Sequence, residues 1–406
     1  MLTLDKIYKA SHVLRSVIRK TDLIHAPLVN PDSEIYLKTE NLQITGSFKV
    51  RGAYYMMSQL TEEEKARGVI ACSAGNHAQG VALAAAKNHI KSLICLPDGA
   101  PISKVEATKS YGAEVCMVNG VYDDAYKKAL ELKEEKNYTF VHPFDNEDVI
   151  AGQGTIGLEI LEQMPDVEAV IVPIGGGGLC TGVSTLAKLL NPNIKVIGVE
   201  PAGANCMQAS LKAGHVLTLP TVNTIADGTA VKRPGEKLFP YIQKYVDDII
   251  TVEDSELIVA FLDIVENHKM VVENSGLLTV AALKHLNVKK KKIVSILSGG
   301  NMDVITMSSV VQHGLIQRDR IFTVSVLLPD KPGELAKVAT LLASERGNVI
   351  KLEHNQFVSI NRNAAVELRI TLEAEGTEHK NKIVQALSDA GYRPKLVKSK
   401  GSCYNE

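Results

Sequence analysis

The sequence lacks the hallmarks of several protein classes. None of its 406 residues lies in a run of about 20 apolar residues, which a membrane-spanning helix would need. Its six cysteines form no C-x-x-C pair, and the formal net charge of −1 favours neither nucleic acid nor an anionic membrane as a partner. The first 20 residues carry charges throughout, unlike a secretory signal. These absences predict a cytoplasmic protein with reduced, mostly buried thiols and with no membrane or nucleic-acid partner.

From Glu34 to Asn301, short runs of apolar and β-branched residues alternate with helical segments. Glycine and proline flank the apolar runs. The predicted strands lie at 68–72, 92–96, 114–118, 139–142, 169–173, 195–199, 248–252 and 292–297. This alternation predicts an α/β protein in which helices cover parallel sheets.

The pattern changes beyond Asn301. One more helix is predicted at 304–315, and a strand at 321–328 then begins a different arrangement. It continues with a helix at 333–346, strands at 349–356 and 364–371, a helix at 378–390 and a strand at 392–396. The resulting βαββαβ order is typical of ferredoxin-like domains.

Four short segments carry residue types suited to chemistry, and three of them follow a predicted strand, where ligands collect in open α/β sheets. In the first, residues 47–53, Lys49 is either a surface residue or a lysine that forms a Schiff base beside a phosphate site. In the second, residues 73–80, a helix N-terminus would offer N–H groups to a carboxylate. The Asn76 side chain would reach a cofactor's phenolic oxygen, or it simply caps that helix.

The third segment is the glycine run at 175–178, directly after the predicted strand at 169–173. Four consecutive glycines cost backbone entropy, which a role in folding alone would not justify. Their N–H groups could close around a phosphate at a helix N-terminus, and we favour this interpretation over a structural turn. In the fourth segment, residues 297–301, Ser298 would present its hydroxyl to a ring nitrogen, unless the segment is only a tight turn.

Residues 152–157 spell G-x-G-x-x-G, the dinucleotide-binding fingerprint. That fingerprint requires a strand immediately before it and an acidic residue about 20 positions later. Residues 145–150 are acidic and irregular, and the downstream sequence does not supply the pattern. We therefore predict that the match is a helix start and not a dinucleotide site. A Walker phosphate loop is also excluded, because no glycine-rich run ends in Gly-Lys-Ser/Thr.

Together and in this order, the four segments resemble those of the threonine dehydratases (threonine ammonia-lyases). These enzymes belong to the tryptophan-synthase-β-like class of pyridoxal-phosphate enzymes. The resemblance rests on Ser-Phe-Lys-Val-Arg-Gly at 47–52, Ser-Ala-Gly-Asn-His at 73–77, the glycine run and Ser-Gly-Gly-Asn at 298–301. It implies a two-lobed, fold-type II α/β catalytic region at 1–315, with a smaller lobe at about 50–145 inserted in the larger one. A C-terminal ferredoxin-like ACT domain would follow at 320–400.

The resemblance also implies roles for individual residues. Lys49 would be the catalytic lysine that binds pyridoxal 5′-phosphate covalently, with Phe48 beside it. Asn76 would contact the cofactor O3′, and Ser298 the pyridine nitrogen. The cofactor phosphate is expected on Gly175, Gly176, Gly177 and Gly178. The substrate carboxylate is expected on Ser73, Ala74, Gly75, Asn76 and His77, and residues 226–229 resemble the loop that lines the far side of the cofactor.

The implied reaction removes water and ammonia from L-threonine and yields 2-oxobutanoate, the first step of isoleucine synthesis. The amine of Lys49 would take the α-proton while the cofactor acts as electron sink. A neutral Ser298 would leave the pyridine nitrogen largely unprotonated, which favours loss of the β-hydroxyl over reprotonation. L-Serine stays open as a substrate, because a pocket distinguishes one methyl group by only about 1–3 kcal/mol.

Two positions separate the chain from similar serine racemases. Those enzymes carry a serine where this sequence has Ala74, so racemisation is disfavoured here. They also place an acidic residue soon after the Glu200-Pro201 pair to bind a divalent ion, where this sequence has Cys206. We expect no divalent metal site, whereas Glu200 could help to bind a monovalent cation. The alternatives are a serine-preferring dehydratase or racemase and, less favoured, a non-catalytic amino-acid sensor.

The C-terminal segment resembles an ACT domain, a fold that pairs up to bind small amino acids. The resemblance is clearest at 328–335, Leu-Pro-Asp-Lys-Pro-Gly-Glu-Leu, where exposed N–H groups at a helix entry could hold an effector carboxylate. The family suggests isoleucine as the effector, feedback inhibition and a homotetramer. The alternative is an oligomerisation module without a ligand.

Overall fold

The computed structural model of the chain separates into two units, Met1–Val304 and Ile305–Glu406. The structure describes residues 2–27, 32–73, 75–286, 291–356 and 366–397. Ala74, the last residues of the predicted ACT domain and Cys403 lie outside this described part. Within it, no helix combines the length and apolarity needed to cross a membrane. Four of the cysteines described there are buried and one is partly exposed, and all five are free thiols.

A six-stranded sheet forms the centre of the first unit. Its strands are β1 (Leu23–His25), β2 (Glu34–Lys38), β7 (Ala169–Pro173), β8 (Lys195–Pro201), β9 (Asp248–Val252) and β10 (Lys292–Ile296). They lie in the order β1-β2-β10-β7-β8-β9, and every pair is parallel except β1 with β2. The parallel arrangement confirms the α/β prediction. The short β1 and the strand β2 were not among the predicted strands.

A four-stranded parallel sheet is inserted in the chain between β2 and β7. It consists of β3 (Val69–Cys72), β4 (Ser92–Pro97), β5 (Glu114–Val118) and β6 (Thr139–Phe140), in the order β5-β4-β3-β6. β6 is two residues shorter than predicted, because its pairing with β3 stops at Phe140. The chain turns at residues 142–145 before the next helix begins.

The first unit contains twelve α-helices within the described residues. They are α1 (Leu4–Leu14), α2 (Lys49–Ser58), α3 (Glu62–Arg67), α4 (Asn76–Lys87), α5 (Ile102–Ser110), α6 (Tyr122–Lys136), α7 (Glu147–Gln163), α8 (Gly178–Leu190), α9 (Cys206–Ala213), α10 (Phe239–Tyr245), α11 (Asp254–His268) and α12 (Asn274–Ala282). Ile7 of α1, Ile156 of α7 and Leu186 of α8 share one core with the larger sheet. In the smaller sheet, Ile94 packs with α2 and α4, whereas Cys95 packs on the opposite face with α6. Both sheets are therefore covered by helices, as parallel sheets require.

The prediction that residues 152–157 start a helix was wrong. Asn146 caps α7, because its Oδ1 accepts backbone N–H groups at 2.9 and 3.1 Å. The acidic residues Glu147 and Asp148 occupy the first turn, where the helix dipole favours negative charge. The glycine motif therefore lies inside α7. A Cβ atom at Gly152 would stand 2.5 Å from the carbonyl oxygen of Arg51, so this glycine lets α7 approach α2 closely.

Helix α13 (Val304–Gln317) precedes the βαββαβ elements of the second unit. These are β11 (Ile321–Leu328), α14 (Glu334–Ser344), β12 (Asn348–Asn355), β13 (Val366–Glu373), α15 (Thr377–Asp389) and β14 (Lys395–Val397). The strands lie in the order β12-β13-β11-β14 and are all antiparallel. Val338 of α14, Ile370 of β13 and Ile383 of α15 are fully buried in one core. This topology confirms the predicted ferredoxin-like domain.

Candidate active site

A cleft of about 1010 Å³ in the first unit brings the four sequence segments together. Residues of both sheets and of their connecting loops line it. Apart from Ala74, which lies outside the described residues, every predicted site residue lines this cleft. These residues are Phe48, Lys49, Ser73, Gly75, Asn76, His77, Gly175, Gly176, Gly177, Gly178 and Ser298.

Lys49 is the first residue of α2, and its segment lies directly against the segment of Ser298. The backbone N–H of Phe48 donates to the carbonyl oxygen of Ser298 over 3.1 Å, and Ser47 forms a β-bridge with Gly299. These backbone contacts join residues that are about 250 positions apart in the sequence. They bring Lys49 and Ser298 together in the wall of the cleft.

The amine of Lys49 points into the cleft and donates to the carbonyl oxygen of Pro143 over 2.9 Å. It also lies 5.2 Å from the centre of the Phe48 ring. Burial lowers the pKa of Lys49 to about 8, although the nearby Glu273 carboxylate opposes the shift. A larger fraction of this amine is therefore neutral, and so nucleophilic, near neutral pH than for an exposed lysine.

The N-terminus of α4 presents unpaired backbone N–H groups to the cleft. Within the described structure, no protein acceptor is found for the N–H groups of Asn76 and His77. The His77 ring itself is not available, because its Nε2 lies 2.8 Å from the carbonyl oxygen of Val141. Burial and the charge of Lys49 lower the pKa of His77 to about 3, so the ring is neutral. A carboxylate would therefore be bound here by main-chain groups and the helix dipole.

The side chain of Asn76 is held from two directions. Its Nδ2 donates to Oε1 of Glu273, and its Oδ1 accepts from Nδ2 of Asn301 over 2.8 Å. Asn301 also donates to the carbonyl oxygen of Thr45. The amide of Asn76 is therefore fixed in one orientation at the cleft wall.

The glycine run leads from β7 into α8 and is packed against Phe144. A Cβ atom at Gly176 would stand 2.4 Å from the Phe144 ring, and one at Gly178 would stand 2.9 Å from its Cβ. Gly177 has φ +103°, which favours glycine. The structure describes no protein acceptor for the N–H groups of these glycines. Free N–H groups at a helix N-terminus can bind an anion, so the loop is a candidate anion cradle.

Ser298 is 4% exposed and lines the cleft, so its hydroxyl is available to a ligand there. A lysine amine, a loop of free N–H groups, an oriented amide and a serine hydroxyl together fit pyridoxal phosphate, which offers an aldehyde, a phosphate, a phenolic oxygen and a ring nitrogen. The donor set of the cleft thus matches this cofactor group by group.

Several lining residues were not among the predicted site residues. Pro143 and Phe144 follow β6, Glu273 precedes α12, and Lys104 of α5 forms a 2.9 Å ion pair with Asp227. Asp227 belongs to the 226–229 loop that the resemblance singled out, and it lines the cleft as expected. The sequence offered one usable signal, because Asn146 is a helix cap and implies a turn directly before it.

Glu200, the residue suggested for a monovalent cation, is buried beside the N-terminus of α9. Its two carboxylate oxygens accept the N–H groups of Met207 and Gln208, each at 2.8 Å. Burial raises the pKa of Glu200 to about 7. No group of three or more His, Cys, Asp or Glu side chains in the described part of the chain could hold a metal ion. Cation binding by Glu200 stays a prediction.

The chain matches the profile of the family described as pyridoxal-phosphate dependent enzyme over residues 14–299. It is 42% identical over 400 residues to the L-threonine ammonia-lyase of Thermotoga maritima. This match covers 98% of this chain and 100% of that protein. It is 40% identical over 390 residues to the biosynthetic L-threonine dehydratase of Escherichia coli, covering 95% of this chain and 74% of that protein.

Solved structures show the same similarity. The processed form of threonine deaminase isoform 2 from Solanum lycopersicum matches with a TM-score of 0.72 and 38% identity, covering 77% of this chain and 94% of that one. Maize serine racemase matches with a TM-score of 0.73 and 34% identity, and the match covers 78% of this chain and 99% of that one. Both kinds of enzyme thus share the fold found here.

Proposed function

Because the chain belongs to the family of pyridoxal-phosphate dependent enzymes, we propose that it is an L-threonine ammonia-lyase that releases 2-oxobutanoate and ammonia. One observation carries the proposal. The amine of Lys49, with a lowered pKa, shares a cleft with an unpaired anion cradle and with the N-terminus of α4. The identity of 42% with an L-threonine ammonia-lyase over almost the whole chain supports the choice of substrate.

The cofactor would be held by groups from both sheets. Lys49 would bind it covalently, and the N–H groups at Gly175–Gly178 would hold its phosphate. Asn76, fixed by Glu273 and Asn301, would contact the phenolic oxygen, and Ser298 the ring nitrogen. When bound, pyridoxal phosphate supplies the electron sink that lowers the barrier to losing the α-proton and the β-hydroxyl.

The residues of the chain would bind the substrate and move its proton. The free N–H groups at Asn76 and His77 would hold the amino-acid carboxylate at the start of α4. Lys49 would accept the α-proton, because burial brings its pKa close to the working pH, as an efficient base requires. The Phe48 and Phe144 rings would limit the access of water to this amine.

The test is the release of keto acid by the purified, cofactor-loaded protein. L-Threonine should yield 2-oxobutanoate, and Lys49→Ala should abolish it. Lys65→Ala, on the exposed helix α3, serves as the matched control and should leave turnover unchanged. A yellow protein that releases no keto acid from threonine would contradict the proposed substrate. The membership of the pyridoxal-phosphate family would be unaffected.

A second candidate function is suggested by the similarity to maize serine racemase. The same assays with L-serine, measuring pyruvate and D-serine separately, distinguish the two. A larger kcat/KM for threonine with no D-serine formed would support the lyase. D-Serine formed faster than pyruvate would support the racemase, and Ala74→Ser would then be expected to increase it.

We also propose that the catalytic region spans 1–315 and that residues 320–400 form a regulatory ACT domain. The ferredoxin-like topology of the second unit supports this assignment. In residues 328–335, β11 ends at Leu328 and α14 starts after Gly333, whose φ is +90°. The N–H groups at this helix entry would hold the carboxylate of isoleucine, and the pathway would be isoleucine synthesis.

Regulation requires isoleucine to favour one of two global states. An isoleucine titration should therefore lower threonine turnover and raise the melting temperature, with valine as the comparison. Analytical ultracentrifugation with and without isoleucine tests the proposed homotetramer. Unchanged turnover and unchanged melting temperature at saturating isoleucine would contradict the regulatory proposal and favour a module for oligomerisation only.

A further inference from the structure

The turn at residues 142–145, between β6 and α7, is organised by a histidine ring. Nδ1 of His142 accepts the backbone N–H of Asp145 over 2.9 Å and that of Phe144 over 3.3 Å. A backbone N–H can only donate, so Nδ1 carries no proton. The ring is therefore neutral, with its single proton on Nε2.

This turn contacts three parts of the candidate active site. The carbonyl oxygen of Pro143 accepts the Lys49 amine over 2.9 Å, and the Phe144 ring packs against the glycine run. The carboxylate of Asp145 accepts the N–H groups of Glu236 and Lys237. The neighbouring N–H of Gly235 then donates to the carbonyl oxygen of Gly176 over 3.0 Å.

We propose that His142 is a positioning residue whose Nδ1 fixes this turn as a hydrogen-bond acceptor, and that its ring transfers no proton in the reaction. Through the turn, His142 sets where the Pro143 carbonyl meets Lys49 and where Phe144 backs the glycine run. The expected effect of His142 on threonine turnover rests on the proposed function. The expected effect on cofactor binding rests only on membership of the pyridoxal-phosphate family.

The electrostatic environment supports an acceptor role. Burial lowers the pKa of His142 to about 4, and the charges of Lys49 and Lys237 add to this shift, while Asp145 opposes it. At neutral pH the ring has no second proton to give. Its one basic nitrogen is already used by two N–H groups, so a role as general acid or base is disfavoured.

The chain itself shows which side chain can replace the ring. Four residues later, Oδ1 of Asn146 accepts the N–H groups two and three positions ahead, over 2.9 and 3.1 Å. This is the same pattern that Nδ1 of His142 makes. An asparagine at position 142 should therefore preserve the turn while removing the titratable imidazole.

The experiment compares His142→Asn with His142→Ala in the full-length holoenzyme. His215→Ala, at an exposed histidine outside the cleft, is the matched control. For each variant we would measure the visible absorption spectrum of the bound cofactor between pH 6 and 10, its dissociation constant, kcat and KM for threonine, and the melting temperature.

We expect His142→Ala to lower kcat by roughly 10- to 100-fold, since displacing a reacting group by about 1 Å has effects of this size. Its cofactor should bind more weakly, and the pH midpoint of its spectrum should shift. His142→Asn should restore kcat to within about threefold of the original, with the original spectrum and midpoint.

Two outcomes would overturn the inference. A His142→Asn variant as slow as His142→Ala, but with the original spectrum, would show that the imidazole transfers a proton. A His142→Ala variant with unchanged kcat, spectrum and cofactor affinity, but a lower melting temperature, would show a role in folding alone. If the unmodified protein released no keto acid from threonine, the proposed function would fail, and the spectra and cofactor affinities would still decide the role of His142.

Discussion

Asn76 and Glu273, 197 positions apart in the sequence, are joined by a 2.5 Å hydrogen bond from the Asn76 amide to Oε1 of the carboxyl group. Asn301 holds the other end of the same amide. One N–H of the Asn76 amide is thus used by Glu273, and the second is left for a ligand in the cleft. The contact ties the start of α4, which covers the smaller sheet, to the residue directly before α12.

The first prediction concerns Glu273→Gln and the pH dependence of stability. Burial raises the pKa of Glu273 to about 7, with the charge of Asp227 acting in the same direction. A raised carboxyl pKa contributes stability below its unfolded value near 4.5, and this contribution is lost as pH rises through about 7. Glutamine does not ionise, so the melting temperature of the variant relative to the original should be higher at pH 8.5 than at pH 5.5.

These melting temperatures are to be measured on cofactor-free protein, so that cofactor binding does not contribute. Glu62→Gln, at an exposed site on α3, is the control. The difference in melting temperature between this variant and the original should depend little on pH. The melting temperature of Glu273→Gln relative to the original could instead be lower at pH 8.5 than at pH 5.5. That result would mean that the carboxyl group is stabilised as an anion.

The second prediction concerns two ion pairs among the residues that line the cleft. Lys104 of α5 contacts Asp227 at 2.9 Å, and Lys232 contacts Asp123 at 3.4 Å. Breaking the first pair with Lys104→Met should raise KM for threonine by roughly 1.5- to 5-fold, because partly exposed pairs contribute about 0.2–1 kcal/mol. The melting temperature should change little, and the KM effect should shrink in high salt.

Lys65→Met is the matched control for the cleft pair, since it breaks an exposed ion pair with Glu62 on α3. It should leave KM unchanged. An equal KM for Lys104→Met and the original protein at low salt would show that the cleft pair has no influence on substrate binding.

The strands of the fold were largely predictable, and the reasons for the failures are physical. Strands at 114–118, 169–173 and 248–252 coincide with β5, β7 and β9, because buried strands are short apolar runs between turn residues. β1 has only three residues and pairs with a single neighbour, which is too little pattern to detect. α7 was predicted too short, because the acidic residues in its first turn were interpreted as loop.

For the candidate site, sequence reasoning found residues whose type is unusual and missed those whose position alone matters. Lys49 and the glycine run stand out by composition, and the structure places them in one cleft. Pro143 contributes only a carbonyl oxygen and Phe144 only a ring, so neither carries a chemical signal in the sequence. Glu273 becomes notable only because folding buries it beside Asn76.

The third prediction concerns the buried ion cluster beneath α2. Arg51, which is fully buried, donates to both carboxylate oxygens of Glu40 and of Glu159 over 2.7–3.1 Å. Arg51→Met would leave these two carboxylates with Lys38 as their single buried cation in the cluster. We expect the free energy of unfolding to fall by about 3–5 kcal/mol, measured by urea denaturation of the cofactor-free protein.

Arg67→Met, at an exposed arginine in the last turn of α3, is the control and should cost less than about 0.5 kcal/mol. A loss below about 1 kcal/mol for Arg51→Met would mean that water or a shifted proton compensates the two carboxylates.

The fourth prediction concerns the packing of the glycine run. In Gly176→Ala the added methyl group would meet the Phe144 ring at 2.4 Å, so the loop or the ring must move. Overpacking of this kind costs about 1–3 kcal/mol, and we expect cofactor affinity to fall by roughly 5- to 150-fold. Gly99→Ala also lies in the cleft wall but has no atom within 4 Å of the new methyl group, so it should bind the cofactor normally. Equal affinities for the two variants would contradict phosphate binding at the run.

The fifth prediction concerns the amine of Lys49. Only the neutral amine can attack the cofactor aldehyde, and burial lowers its pKa to about 8. The rate at which cofactor-free protein captures pyridoxal phosphate, followed by stopped-flow absorbance, should therefore rise with pH and level off above about 8. The Glu273 carboxylate raises this pKa, so Glu273→Gln should move the midpoint to lower pH.

Lys65→Ala controls for the loss of a lysine elsewhere on the surface. It should leave the pH dependence of the capture rate unaltered. A capture rate that keeps rising towards pH 10 would indicate an amine with the ordinary pKa of a solvated lysine. Phe48 and Pro143 contact the Lys49 amine and leave no room for a full hydration shell. The cleft would then have to open before the amine could react.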